Sequence, residues 1–341
     1  VGRHVLSELE VRRNRTDDLP LDRVADQLTR MIEEFDSVAK TAEYFLADLG
    51  PVTPAIALPL LRPVSVGLAN RRETPEDLAE QFRNVWGGVE VMGGDPRDRL
   101  LAAELLNGSS SSMEKLFSPI MSSTEKIRAE LGSAAWSVTP ATILHIAAGN
   151  DQPVALDAYF RVRRSAGSDE AAALLVALYP DPAPALVRRD SLANAFGGAS
   201  TDSADALHAA TYLTAVGGDA ATAGRTRDIA GALGDRFAEP LTPAAVLSDH
   251  VHMSAGEIVN WIDKAIGILR TRQLAPTERE LAALAVGLVH GLPESEFLSP
   301  TDARNSAASP VSVPALTALH AWIYRPLLGS FGSVVSPEPT V

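Results

Sequence analysis

The chain has 341 residues, of which 46% are hydrophobic, 21% charged and 5% aromatic. That balance excludes a disordered chain, and a chain this long buries roughly 75% of its unfolded surface without covalent staples. There is no cysteine, which excludes disulfides, thiolate metal sites and thiol nucleophiles, and 43 acidic against 30 basic residues give a net charge of −13, a sign that repels phosphate backbones and argues against nucleic-acid binding.

The chain opens Val-Gly-Arg-His without an initiator methionine, which reads as a processed start compatible with a removed leader; Glu8, Glu10 and Arg12 leave no apolar signal core. Leu21, Val24, Ala25, Leu28, Ile32 and Phe35 follow helical spacing. The most apolar stretch, Pro51 to Ala69, holds four prolines and Arg62, so it predicts no membrane span and no membrane insertion. A cytoplasmic protein is the simplest reading. A further helix starts at Thr74-Pro75, with Leu78, Phe82, Val85 and Trp86 on one face. Gly93, Gly94 and Pro96 make Val91–Arg97 a candidate hinge, dividing an N-terminal helical region (1–97) from the alanine-rich remainder.

From residue 98 to 333 short alanine-rich helices recur, anchored at Ala102, Ala141, Ala172, Ala209, Ala244, Ala282 and Ala315. Their separations are 39, 31, 37, 35, 38 and 33 residues. Between anchors lie second helical segments such as Pro153–Ala166, Ala220–Leu233 and Ser254–Arg272. One helix-turn-helix per period of about 35 residues predicts stacked hairpins that bury one another's apolar faces. Over about residues 100–325 the chain resembles helical-hairpin repeat proteins in general. It lacks the tetratricopeptide and ankyrin patterns, so no family residue transfers. Thr139-Pro140 and Thr242-Pro243 predict an N-cap hydroxyl before a proline, and Thr277 with Glu280 a capping box. Gly149, Gly197-Gly198, Gly217-Gly218 and Gly291 mark stops. Ser109–Ser112 reads as a loop, and the tail 334–341 as a fraying end. The expected fold is therefore all-α: an irregular α-solenoid-like array of stacked helical hairpins with an N-terminal helical extension.

Chemistry is sparse. Dinucleotide, P-loop, nucleophile-elbow and zincin motifs are absent from the sequence, and no catalytic residue, cofactor or metal is assigned. Asp249, His250 and His252 form the best constellation, since a histidine pair beside a carboxylate can ligate a metal or shuttle a proton. Histidines two apart on a helix diverge by about 200°, so no metal site is expected there. His145, His208, His290 and His320 share no register and read as satisfied, partly buried histidines. Glu114, Glu125, Glu130, Lys115, Lys126 and Arg128 read as a solvated helix face. Arg161, Arg163, Arg164, Arg188 and Arg189 are the notable basic cluster, expected to pair with the surplus acid. Trp86, Trp136, Trp261 and Trp322 are dispersed and read as core anchors.

The leading expectation is a non-enzymatic helical-repeat protein that binds another protein or acts as a scaffold. An all-α enzyme using His250 or His252 with Asp249 or Asp263 is the second reading. A self-assembling structural component is the third.

Overall fold

The computed structural model describes residues 21–45, 74–108, 113–132, 136–148, 155–196, 203–248, 253–272 and 278–290. Among them are thirteen α-helices and no strand, so the chain is all-α as its periodicity predicts. In chain order the helices are α1 (Leu21–Phe45), α2 (Pro75–Glu90), α3 (Pro96–Gly108), α4 (Met113–Leu131), α5 (Val138–Ala148), α6 (Leu156–Ala166) and α7 (Asp169–Leu178). They continue with α8 (Pro182–Ala195), α9 (Ala204–Ala215), α10 (Ala220–Leu233), α11 (Leu241–Leu247), α12 (Ala255–Thr271) and α13 (Glu278–His290). No described helix is long and apolar enough to cross a membrane. The anchor Ala315, the capping threonine Thr277, the serine run 109–112 and the tail 334–341 lie outside the described residues.

Local chemistry sets most helix starts. Thr74 accepts from the Asp77 main chain while the Asp77 carboxylate bonds back to Thr74, with Pro75 opening α2. Asp219 with Thr222 starts α10, and Ser254 with Glu257 starts α12, by the same reciprocal bonding. Both helices match the segments expected at Ala220–Leu233 and Ser254–Arg272. Asp95-Pro96 and Asp181-Pro182 repeat the cap-then-proline device in front of α3 and α8.

Thr139 and Thr242 do not act as the expected N-caps. Their helices begin one residue earlier, and the caps come from elsewhere in the chain. The buried Asp98 carboxylate, in the first turn of α3, accepts from the main-chain N–H groups of Ser137, Val138 and Thr139 at 2.7–2.9 Å. The Thr139 hydroxyl donates to the Asp98 carbonyl at 2.7 Å. Asp205 in α9 repeats this on α11, accepting from Leu241 and Thr242 N–H at 2.8 Å and from the Thr242 hydroxyl at 2.6 Å. A local rule assigns a cap to the nearest hydroxyl, but a carboxylate supplied by a neighbouring helix satisfies more of the orphan donors.

The described anchor helices pack side by side in series. Each anchor helix packs on the next along the series α3, α5, α7, α9, α11 and α13, and each packs on the helix before it in sequence, from α2–α3 to α12–α13. All six described anchor alanines are buried. Burial extends around most of their helices: Glu170 to Ala177 are eight consecutive buried residues in α7. Small residues let the backbones approach closely without leaving voids. Amphipathic character is strongest in α2, α6 and α12 among the alternate helices. In α12 Ile258, Trp261, Ile262, Ala265 and Leu269 face inward, at the spacing that predicts the helix.

Arginines of the second layer tie down helix ends. Arg128 donates to the carbonyls of Met92 and Gly93 at 2.6 and 2.8 Å and to the Ser137 hydroxyl at 3.0 Å. Arg128 is therefore no part of a solvated face, although Glu114, Glu125, Glu130, Lys115 and Lys126 are exposed. Its fork also pins the candidate hinge at Val91–Arg97. Arg188 donates to the Gly217 and Gly218 carbonyls, Arg225 to those of Ser248 and Met253, and Arg189 to that of Ser165. Free carbonyls at helix ends need donors, and a planar guanidinium serves two at once where an ammonium acts as a point charge.

Helix α1 is more than an extension. It lies along α2 and also touches α12 and α13, so among the described residues the series of hairpin contacts closes on itself. Leu28, Met31, Ile32, Phe35, Val38 and Ala42 are buried, and Arg272 at the end of α12 bonds Glu33 at 2.9 Å.

Two substitutions test these joints. Asp205→Ala leaves two main-chain N–H groups without their acceptor and should cost about 2–4 kcal/mol in urea unfolding. Asp219→Ala, which removes an exposed local cap, should cost visibly less. At Gly94, φ is +88° and an added Cβ would lie 2.5 Å from Arg128 Nη2, which its carbonyl partners hold in place. Gly94→Ala should therefore lose about 1–3 kcal/mol, read as a lower melting temperature.

Candidate functional site

Asp249, His250 and His252 lie outside the described residues. Their surroundings are defined on both sides. Helix α11 ends at Leu247 and α12 begins at Ala255, and Arg225 holds the flanking residues Ser248 and Met253 through their carbonyls at 3.2 and 2.6 Å. Burial lowers the Arg225 pKa, with Asp228 opposing that shift. Asp263, the other carboxylate considered with these histidines, receives Arg236 through two bonds of 2.9 Å. That bidentate pair commits both carboxylate oxygens to a structural cation.

A serine–histidine contact among the described residues has no counterpart in any sequence motif. Ser123 Oγ lies 2.9 Å from His145 Nε2, across the α4–α5 packing. Ser123 is buried and His145 half-buried. Burial lowers the His145 pKa, opposed by a hydrogen bond to the Pro119 carbonyl. A neutral imidazole against a hydroxyl is the first half of a nucleophile–base pair. The second half, free main-chain donors aimed at a developing oxyanion, is not supplied by the interior of a helix, where N–H groups already bond the preceding turn. Pro119 sits inside α4 and removes one donor from that ladder. The imidazole instead clamps the proline-bearing helix to its neighbour. His145 is thus a satisfied, partly buried histidine, in keeping with its sequence context; His208 and His290 are half-buried, and His320 lies outside the described residues.

The basic cluster is largely absorbed by the fold. Arg163 pairs with Asp169, and Arg189, only 5% exposed, pairs with Asp190. Arg188 serves carbonyls, while Arg161 and Arg164 face outward on α6. The Tyr159 hydroxyl, 3.4 Å from Asp169, is pushed well above the usual phenol value by burial and by that carboxylate, so it stays protonated. Trp86 and Trp261 are buried, each with a cation over its ring: Arg99 at 5.6 Å and Lys264 at 4.5 Å. Among the described residues no group of three or more histidines and carboxylates converges as a metal site would require.

The buried Asp98 has its pKa raised by burial, opposed by the N–H donors of Ser137, Thr139 and Val138. A signal of its role is present in the sequence. Asp98 and Asp205 each stand four residues before an anchor alanine, and Thr139 and Thr242 two before the next. Comparison with known proteins brings no further assignment: no family model, curated protein or solved structure matches the chain.

The His145 shift has a measurable consequence. The unfolded chain takes up a proton near pH 6.5, above the folded value, so the contribution of neutral His145 is complete above about 6.5 and lost as pH falls toward the folded pKa. Urea midpoints should therefore drop more between pH 7.5 and 5.5 for the wild type than for His145→Gln. Equal drops would remove His145 from the pH dependence.

Proposed function

We propose that the chain is a non-enzymatic helical-repeat scaffold whose second-layer helices present a binding face to another protein. The observation that supports this is where several buried and half-buried charges go. Asp98 and Asp205 end on helix N-termini, and Arg128, Arg189 and Arg225 on helix-end carbonyls. Chemistry-bearing side chains thus serve the frame. The outer surface carries surplus acid, with Asp26 and Glu43 on α1 and Glu76, Glu80 and Glu90 on α2 exposed against Arg30, Lys40 and Arg83. A partner with a basic contact surface would be steered to it, and the association would weaken with salt.

Affinity capture from a lysate of the source cell tests this. A specific protein should be retained at about 0.1 M salt, where the Debye length is near 10 Å, and released as salt rises. Asp26→Asn combined with Glu80→Gln and Glu90→Gln should fail to retain it. Concentration-dependent association in sedimentation velocity, with no captured protein, would favour the self-assembling reading. One-to-one zinc binding by calorimetry that His250→Ala abolishes would favour the enzyme reading.

A further inference from the structure

We propose that the closed series of hairpins has one built-in opening seam, between α1 and the last described hairpin α12–α13, held shut by an exposed ionic latch on Arg272. The proposal rests on the packing geometry and is independent of the scaffold role.

Three observations separate this joint from the others. First, α1 lies along α2, but among the described residues its contact with α12 and α13 is thinner than the joints between successive hairpins. Second, buried or half-buried polar locks hold several joints elsewhere in the series. Asp98 joins α3 to α5, and Asp205 joins α9 to α11. The Tyr179 hydroxyl following α7 donates to the Thr214 carbonyl in α9, and Arg225 in α10 holds both ends of the α11–α12 link. Third, the seam's ion pairs among the described residues belong to Arg272. It bonds Glu33 at 2.9 Å, with Arg272 and Glu33 both substantially exposed, and approaches the buried Asp36 at 3.8 Å, so the exposed Arg272–Glu33 pair is the part open to screening. Asp36 also takes Lys40 of its own helix at 2.8 Å.

Exposed ion pairs are screened by salt, and buried caps are screened far less. Raising ionic strength therefore weakens this joint selectively. Without Arg272, Glu33, Glu34 and Asp36 would face only the cations of their own helix, Arg30 and Lys40. Repulsion would then add to the lost attraction. An opening here would move α1 and α2 away from α12–α13 and change the spacing of the outer faces.

The absence of cysteine permits clean paired labelling. Spin labels at Glu43→Cys on α1 and Asn260→Cys on α12 report the seam. Labels at Glu80→Cys on α2 and Glu125→Cys on α4 report a locked joint. Pulsed dipolar spectroscopy should show the seam distance broadening and shifting outward in 1 M NaCl, where the Debye length is about 3 Å, with the control pair unmoved. Arg272→Glu should produce the same shift at low salt, and adding Glu33→Arg should reverse it. If Arg272→Glu fails to fold, the salt titration in the labelled wild-type background still decides. A seam distribution as narrow as the control under high salt overturns the proposal. So does broadening of both pairs together, and a charge swap that restores nothing removes the latch from Arg272.

Discussion

At two joints of the series an aspartate buried in one anchor helix caps the N-terminus of the next, and the register of those helices depends on that bond. Helices packed through alanines have smooth surfaces and few ridges to fix their axial register. A carboxylate that must meet two or three N–H groups at once fixes it within a fraction of an ångström. At α3–α5 and at α9–α11 the same offset results: aspartate four before one anchor, threonine two before the next. The carboxylate would be costly to bury alone, and the helix N-terminus would be costly to bury uncapped. Each removes the other's penalty, and the positive end of the helix dipole favours the ionised form. Burial still raises the Asp98 pKa, which shows that desolvation is only partly offset there.

The opposite helix ends need donors, and this gives the choice of cation a structural use. Of the 30 basic residues, four are lysine. Read as composition, that bias points to the source cell and to nothing in the fold. In the structure Arg128, Arg188 and Arg225 each bridge two carbonyls around helix ends, a task suited to a planar fork of donors. The surplus of acid is likewise not all surface charge, since Asp98, Asp205 and Glu170 are buried in inner helices.

Legibility in the sequence follows the range of each interaction. Helix faces and caps made within four residues are readable, as α2, α10 and α12 show. The described anchor alanines are all buried, because close packing demands small residues where helices meet. Interactions over 20 to 40 residues are not readable from local rules, because nothing local distinguishes a capping aspartate from a solvated one; the offset of Asp98 and Asp205 from the anchors becomes a signal only when the anchors are set side by side. For that reason a local rule gives Thr139 and Thr242 to their own helices, and charge patterning gives Arg128 to an outer face. Ser123 and His145, 22 residues apart, meet only because α4 packs on α5. The contact between α1 and the end of α12, Glu33 to Arg272, spans 239 residues and leaves no periodic trace.

That longest contact changes what the hairpins can do as a unit. An open stack ends on exposed apolar faces, which favours stacking of copies. Here α1 touches hairpins at both ends of the described series, with Phe35 and Met31 buried. A closed series distributes a local distortion over every joint, so the weakest joint yields before the locked ones. An aspartate cap restrains one end of a helix and an arginine fork the other, as Asp205 and Arg225 do for α11. For α11, then, rigidity comes from locks at opposite helix ends, whereas the contact of α1 with α12 carries charges in water.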